Sequence, residues 1–470
     1  MSPPRARLLG LVVIGLVALG GCGGDSAERA EPSAEPPAHT KLGQCGDEVG
    51  PKGFRCASLE VPLEREDPSL GEIEIEFGVR EHRDPDAREA LPIFAVEGGP
   101  GFGSLGSAGA YVKLFDDLLD AHDLVLVDMR GTGRSGPIDC RDLQTGRAPQ
   151  WIGVASCARQ LGDRFDSYRT AAAADDIDDV RASLGYDSID LYGDSYGTFL
   201  AQSYAFRHGD RLRSLVLDSA HPVRGESGWF PTLVTSGVRS LELSCRRSLK
   251  CAGNARERLN TFVDTLRHAH QDVGSLVHAL SFGGNGAPAS YLEIDSAIQE
   301  YLAGDEKGYD RLINEARTGW GRAENYSHGQ ELAVSCNDYP MIWDKGASEP
   351  QRRDQLEDEI RSYPDDRFPP FKPGEVAFSK AGYLDCLTWP PPGELYEPPA
   401  EADAPGPRIP TLVVSGELDN VTSPAEGRMV ADDFPNSELL IAPNAGHVAS
   451  LYDYDSPPAR EIRAFLRREG

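Results

Sequence analysis

Nine residues, Ile189 to Gly197 (Ile-Asp-Leu-Tyr-Gly-Asp-Ser-Tyr-Gly), constrain the fold more than any other stretch of the chain. A short β-type run with Ile189 and Leu191 enters Gly193-Asp194-Ser195-Tyr196-Gly197, and a helical pattern from Thr198 to Phe206 leaves it. This is G-x-S-x-G in the setting of strand, sharp turn and helix, a nucleophile elbow. Such a turn strains the serine backbone and projects its hydroxyl from the top of a sheet. Gly193 and Gly197 are required there because side chains would strike the neighbouring strand and helix. In a chain with 50 glycines the pattern is weak alone, so the remaining sequence must supply the partners.

Strand and helix patterns alternate on both sides of the elbow. Ser58–Leu63 and Ile73–Val79 alternate as half-buried strands do, and Leu91–Val96 and Leu124–Val127 are short apolar runs of the buried type. Tyr111–Leu119 and Ala171–Leu184 read as helices, and Ser214–Leu217 as the strand after the elbow helix. Alternation stops near His221. From there to about residue 405 helical patterns dominate (Leu233–Ser244, Ala255–His270, Tyr291–Leu302 and Pro350–Tyr363), separated by Pro- and Gly-rich links. It resumes with a strand at Ile409–Val414, a helix at Pro424–Asp432, a strand at Ser437–Ile441 and a helix at Ala459–Arg467. The fold class is therefore α/β, with a mostly parallel sheet of eight strands covered by helices on both faces. Residues 45–220 and 406–470 form the core, and 221–405 an inserted helical cap.

Residues 1–22 read as a targeting segment. Arg5 and Arg7 give a positive start, and Leu8–Leu19 is an apolar run of 12 residues, too short to span a bilayer. It ends in Leu19-Gly20-Gly21-Cys22, which resembles the lipobox of bacterial lipoproteins. The resemblance implies cleavage before Cys22 and its acylation; ordinary secretion is the alternative. Residues 23–44, rich in Pro, Ala, Glu, Ser and Gly, read as a flexible linker. The expected location is outside the cytoplasm, with membrane attachment only through the lipid.

Eight cysteines remain after Cys22, an even number that in an exported chain reads as four disulfides. Eight cysteines allow 105 connectivities; the expected one pairs sequence neighbours, Cys45–Cys56, Cys140–Cys157, Cys245–Cys251 and Cys336–Cys386, because each pair closes one local loop. A zinc site is disfavoured, since no C-x-x-C pair exists and no histidine lies at ligand spacing. Lys+Arg of 47 against Asp+Glu of 75 gives a net charge of −28. That balance argues against nucleic acid and against an electrostatic grip on anionic lipid.

A serine nucleophile needs a base to take its proton and a carboxylate to orient that base. In this architecture they follow the serine in the order acid, then histidine. Gly416-Glu417-Leu418-Asp419 comes after the first strand beyond the cap, and Asn444-Ala445-Gly446-His447 after the last. Ser195, Asp419 and His447 are the candidate triad, with Glu417 as the alternative acid. The oxyanion hole needs two backbone N–H groups, one from the residue after the nucleophile and one from the loop after the third strand. Tyr196 supplies the first, and Gly99 in Gly98-Gly99-Pro100-Gly101 the second. A dinucleotide site at Gly131-Thr132-Gly133 is the weaker reading, because the third glycine would fall at Gly136, directly before Pro137, where no helix starts.

Gly98-Gly99-Pro100-Gly101, Asp128-x-Arg130-Gly131-x-Gly133-x-Ser135, Gly193-x-Ser195-Tyr196-Gly197-Thr198 and Val216-Leu217-Asp218 together resemble the prolyl iminopeptidase and tripeptidyl aminopeptidase group of α/β-hydrolases. Ser335-Cys336-Asn337-Asp338, with Asp419 and His447, is similar to the exported tripeptidyl aminopeptidase-like branch. The resemblance implies an acyl-enzyme on Ser195, a peptide substrate whose free amino terminus is held by cap carboxylates, and no metal or cofactor. Glu97 stands where the iminopeptidase pattern usually has histidine. It is either an amine contact or a change without consequence. Asp338 is either an amine contact or a structural residue beside a disulfide. Arg130 is read as ordering the loop under the site. Two other functions share the pattern: the same triad acting on an ester, lactone or small amide, and a binding lipoprotein without catalysis.

Overall fold

Side-chain alternation in the central strands sorts the protein into layers. The computed structural model describes residues 40–45, 52–84, 91–146, 150–225, 231–251, 253–315, 321–377, 379 and 384–469. The targeting segment 1–22 with Cys22, and most of the linker, lie outside the described residues. The strands are β1 (Gly43–Gln44), β2 (Arg55–Pro62), β3 (Glu72–Arg80), β4 (Leu91–Val96), β5 (His122–Val127), β6 (Ile189–Asp194), β7 (Leu212–Asp218), β8 (Thr411–Gly416) and β9 (Ser437–Ala442). They form one sheet in the order β1-β2-β3-β5-β4-β6-β7-β8-β9. Pairings from β5 through β4 to β9 are parallel, and those among β1, β2, β3 and β5 antiparallel.

Ile93, Ala95, Leu124 and Leu126 face one way and pack with Tyr111, Phe115, Ile462 and Phe465. Phe94, Val96, Val125 and Val127 face the other way and pack with Ile177, Phe199 and Tyr204. Both faces of the central strands are covered, which is why β5, β6 and β8 carry no exposed residue. The sheet has nine strands among the described residues, one more than the eight expected. The extra one, β1, is two residues long, too short for any periodicity. It pairs with β2 beside the Cys45–Cys56 disulfide. Thr40 N–H also donates to the Ser183 carbonyl at 3.0 Å, so the end of the expected linker belongs to the core.

Between β7 and β8 the described chain is mainly helical: Pro231–Arg247, Ala255–His268, Gly274–Phe282, Pro288–Leu302, Lys307–Glu315, His328–Asp338, Glu349–Ser362 and Pro373–Ala377. Phe262, Val263, Leu266, Leu280, Tyr291 and Ile298 belong to an apolar cluster that the insertion shares with Leu63, Val154, Leu161 and Leu418 of the core. Four of these helices escaped the periodicity reading. His328–Asp338 is buried around most of its circumference, so it shows no amphipathic stripe. The disulfides join Cys45–Cys56, Cys140–Cys157, Cys245–Cys251 and Cys336–Cys386. Among the described residues no helix is long and apolar enough to cross a membrane.

The loop after β5 is held by Arg130, whose side chain is wholly buried. Its guanidinium donates to both Asp176 oxygens at 2.6 Å, and to the Leu63 and Ser167 carbonyls at 2.7 and 2.6 Å. Removing one partner of a buried pair strands the other's charge. Arg130→Met is therefore expected to lower the unfolding free energy by about 3–5 kcal/mol, read from the urea midpoint at unchanged slope.

Candidate active site

The chain order β4, β5, β6 and the sheet order β5-β4-β6 place a reversal at β4, so loops leaving β4 and β5 diverge from those leaving β6. A crevice opens at the C-terminal edge of such a switch point. Ser195 sits there with φ 52° and ψ −124°, between β6 and the helix Tyr196–His208. That backbone is unfavourable for a residue with a Cβ, and neighbours hold it. Ser195 N–H donates to the Asp218 carbonyl at 2.9 Å, and Thr198 N–H and Oγ1 donate to the Ser195 carbonyl at 2.9 and 2.6 Å. A Cβ at Gly193 would lie 2.2 Å from the Gly197 carbonyl oxygen, and one at Gly197 2.3 Å from that of Val96. The helix must pass this close to β4 for the turn to close.

Two loops from distant parts of the chain complete the arrangement. His447 Nε2 is 2.9 Å from Ser195 Oγ. His447 Nδ1 lies 3.0 and 3.2 Å from the two Asp419 oxygens. Asp419 is fully buried. Its Oδ1 accepts from Val421 N–H and Thr422 N–H, both at 2.9 Å, and its Oδ2 from Thr422 Oγ1 at 3.0 Å. With Nδ1–H directed at Asp419, the Nε2 lone pair faces the serine hydroxyl. A serine proton can pass to the imidazole in this geometry, and the buried carboxylate can stabilise the resulting cation. The acid loop leads directly into a capping box, Ser423 with Glu426, that starts the helix Pro424–Asp433.

The loop after β4 runs against the nucleophile. A Cβ at Gly98 would sit 2.6 Å from Ser195 Cβ. Gly99 is the next residue in that loop, and Tyr196 follows Ser195 and begins the elbow helix. Glu97 turns to the buried side of the loop. The Tyr111 hydroxyl is 3.1 Å from Glu97 Oε2 and 2.7 Å from Asp194 Oδ2. Burial, and then the negative Glu97, push the Asp194 carboxyl well above the usual range. Glu97 is thus engaged with internal partners beneath the elbow.

Asp338 lies behind Tyr196. Its Oδ2 accepts from Thr170 N–H and Oγ1 at 2.7 and 2.6 Å, and its Oδ1 from the Tyr396 hydroxyl at 3.1 Å. Thr170 Oγ1 in turn is 2.9 Å from the Tyr196 hydroxyl. The buried carboxylate anchors the start of the helix Thr170–Leu184, a supporting place and not an open amine contact. Glu417, the alternative acid, pairs with Arg247 at 2.8 Å and accepts from Asn444 N–H at 3.0 Å. The Arg247 guanidinium draws its carboxyl down to about 2. Thr422 and Asp218 were not singled out as site residues. The spacing Asp419-x-x-Thr422 suits a carboxylate that bonds N–H groups two and three residues on, a pattern visible in sequence. Asp218 has no such local sign. It accepts from Tyr192 at 3.0 Å and from Ser450, partners 26 and 232 residues away. For a metal, the one grouping with suitable spacing among the described residues is Cys245, Cys251 and Asp295. Its two sulfurs are joined in a disulfide, and Asp295 pairs with Arg258.

Comparison with known proteins agrees with this architecture. A family model described as alpha/beta hydrolase fold matches residues 92–454. Serine protease Hip1 of Mycobacterium tuberculosis is 26% identical, the match covering 97% of this chain and 93% of that protein. The tripeptidyl aminopeptidase of Streptomyces lividans is 24% identical over 84% of this chain and 78% of its own. The proline iminopeptidase of Neisseria gonorrhoeae is 29% identical over 30% of this chain and 37% of its own length.

Burial pushes Asp128 and Asp218, at the ends of β5 and β7, up to about 6 from an ordinary 3.8. Each takes a proton more readily folded than unfolded. Their contribution is present below pH ~4 and is lost as pH rises through ~6. Asp218→Asn should make the fall in unfolding free energy between pH 4 and 6 shallower, as measured by urea unfolding at each pH.

Proposed function

From the premise that this chain belongs to the alpha/beta hydrolase fold family, we propose that it is an exported serine exopeptidase acting on the free amino terminus of peptides. The carrying observation is the continuous contact from Ser195 Oγ through His447 to Asp419, 2.9 and 3.0 Å, at the C-terminal edge of the sheet. Ser195 attacks the scissile carbonyl while His447 takes its proton. The negative oxygen is met by the N–H groups of Gly99 and Tyr196. His447 then returns the proton to the departing amine, leaving an acyl-enzyme that water, activated by the same imidazole, releases.

Substrate class is supported by the relatives named tripeptidyl aminopeptidase and proline iminopeptidase, and by the net charge of −28, which favours a cationic amino terminus over an anionic ligand. Export is supported by the leader pattern and the four disulfides. We assign Cys22 as the lipidated residue.

Chromogenic amides of single amino acids, dipeptides and tripeptides, each free and N-blocked, with simple esters alongside, test this reading. Free-amine substrates are expected to be cleaved in preference. Equal cleavage of blocked substrates, or cleavage of esters alone, rejects the exopeptidase. Ser195→Ala should lower the maximal rate by about 10⁶-fold with the fold intact. In a bacterial host, Cys22→Ser should move the protein from the detergent phase to the aqueous phase on partitioning; unchanged partitioning rejects the anchor.

A further inference from the structure

The inserted helical segment bonds to the loops that carry the site, and these bonds share a pattern. Ser327 N–H donates to the Gly101 carbonyl at 2.9 Å. Ser236 Oγ donates to the Asp419 carbonyl at 2.8 Å, and the Tyr291 hydroxyl to that of Leu418 at 3.0 Å. Asn420 Nδ2 donates back to the carbonyls of Leu280 and Gly283 at 3.0 and 3.2 Å. His447 N–H donates to the Asn285 carbonyl at 2.7 Å.

The last of these stands out, because it ties the backbone of the histidine itself to the insertion. The tie comes from a turn, Gly283–Gly286, seated between the acid loop and the histidine loop. A Cβ on Gly286 would lie 2.4 Å from the Leu418 carbonyl oxygen, and a Cβ on Gly446 2.4 Å from that of Asn285. Gly284, Asn285 and Gly286 have φ of 56°, 52° and 68°. A run of left-handed residues is unfavourable for a chain of L-residues, and asparagine is among the few with a Cβ that tolerate it. The Asn285 side chain is exposed, and among the described residues its hydrogen-bond partner is the Tyr452 hydroxyl at 3.0 Å. The turn therefore acts through its backbone. Asp419 and His447 follow different strands, and this turn touches both loops at their backbones, whereas Arg247 joins the same loops only through the side chains of Glu417 and Asn444.

We propose that Asn285 and Gly286 are positioning residues for the His447–Asp419 pair: the insertion supplies the backbone wedge that sets the imidazole against its carboxylate and against Ser195. This rests on the triad reading above. It makes the insertion part of the catalytic frame, so the site cannot be assembled by the sheet alone.

The test uses the full chain and a fluorophosphonate probe for Ser195, which needs no knowledge of the substrate. Gly286→Ala places a methyl against Leu418. Asn285→Val removes the tolerance for positive φ, and Asn285→Gly restores it while keeping the carbonyl. Misplacing a reacting group by about 1 Å costs roughly 100-fold, so Gly286→Ala and Asn285→Val should slow maximal labelling by at least about tenfold. The half-saturating probe concentration should shift much less. The acidic limb of the labelling rate should move to lower pH, because a loosened Asp419 stabilises the imidazolium less. Asn285→Gly should recover most of the Asn285→Val loss. Gly304→Ala is the control: φ is 95° there too, with open space around it, at the far end of the helix Pro288–Leu302. It should strain the same segment and leave labelling unchanged. The proposal is overturned if Gly286→Ala and Asn285→Val label as the unsubstituted protein does. It is equally overturned if their loss follows only the unfolded fraction by circular dichroism, or if Gly304→Ala reproduces it. Failure of the unsubstituted protein to label at Ser195 overturns the hydrolase reading and this one together.

Discussion

The strained backbone of Ser195 is the constraint around which the rest is arranged. A residue at φ 52° and ψ −124° keeps that conformation only when its neighbours leave no alternative. Here they are the Asp218 carbonyl on β7, the returning helix that Gly193 and Gly197 let in, and the Gly98 loop lying on the serine. All depend on β4, β6 and β7 being adjacent and parallel. The sheet order thus does more than support the hydroxyl. It brings together the three strands whose ends hold the turn, and at the same point it opens the crevice.

The C-terminal ends of five successive strands each lead to a carboxyl: Asp128 after β5, Glu97 after β4, Asp194 on β6, Asp218 on β7 and Asp419 after β8. So many acids at one edge would repel if each were left alone. Polar partners hold each of them, and Asp194 and Glu97 share one. Asp128 accepts the N–H groups of Leu105 and Arg134 at 2.9 Å, Asp194 and Glu97 meet the Tyr111 hydroxyl, and Asp218 takes Tyr192 and Ser450. Burial raises three of them, Asp128, Asp194 and Asp218, and so favours their neutral forms. Asp419 is surrounded by N–H donors and a histidine, and it faces the imidazole that would carry the proton.

The core was legible because its grammar is local. β5, β6 and β8 are buried throughout since both faces are covered, and each ends at or just before a glycine or acid that marks the turn. The insertion was less legible. His328–Asp338 is enclosed on nearly every side and so has no stripe, and Gly274–Phe282 is only nine residues long. Within the site, Ser195 and the position of His447 after the last strand stood out. Glu97 and Asp338 did not show their orientation, since each turns to partners far away in sequence: Tyr111 in one case, Thr170 and Tyr396 in the other.

By itself the amino-acid order determined the architecture, the elbow, and the acid and histidine that follow it, because each rests on a period or a short spacing. Only the tertiary structure decided that Asp338 anchors a helix behind Tyr196, that Arg130 is sealed against Asp176, and that a turn at Asn285 touches the histidine loop. Those contacts join residues 168, 46 and 162 positions apart. No local pattern encodes such a distance; it is set when the packed layers bring the loops to one edge.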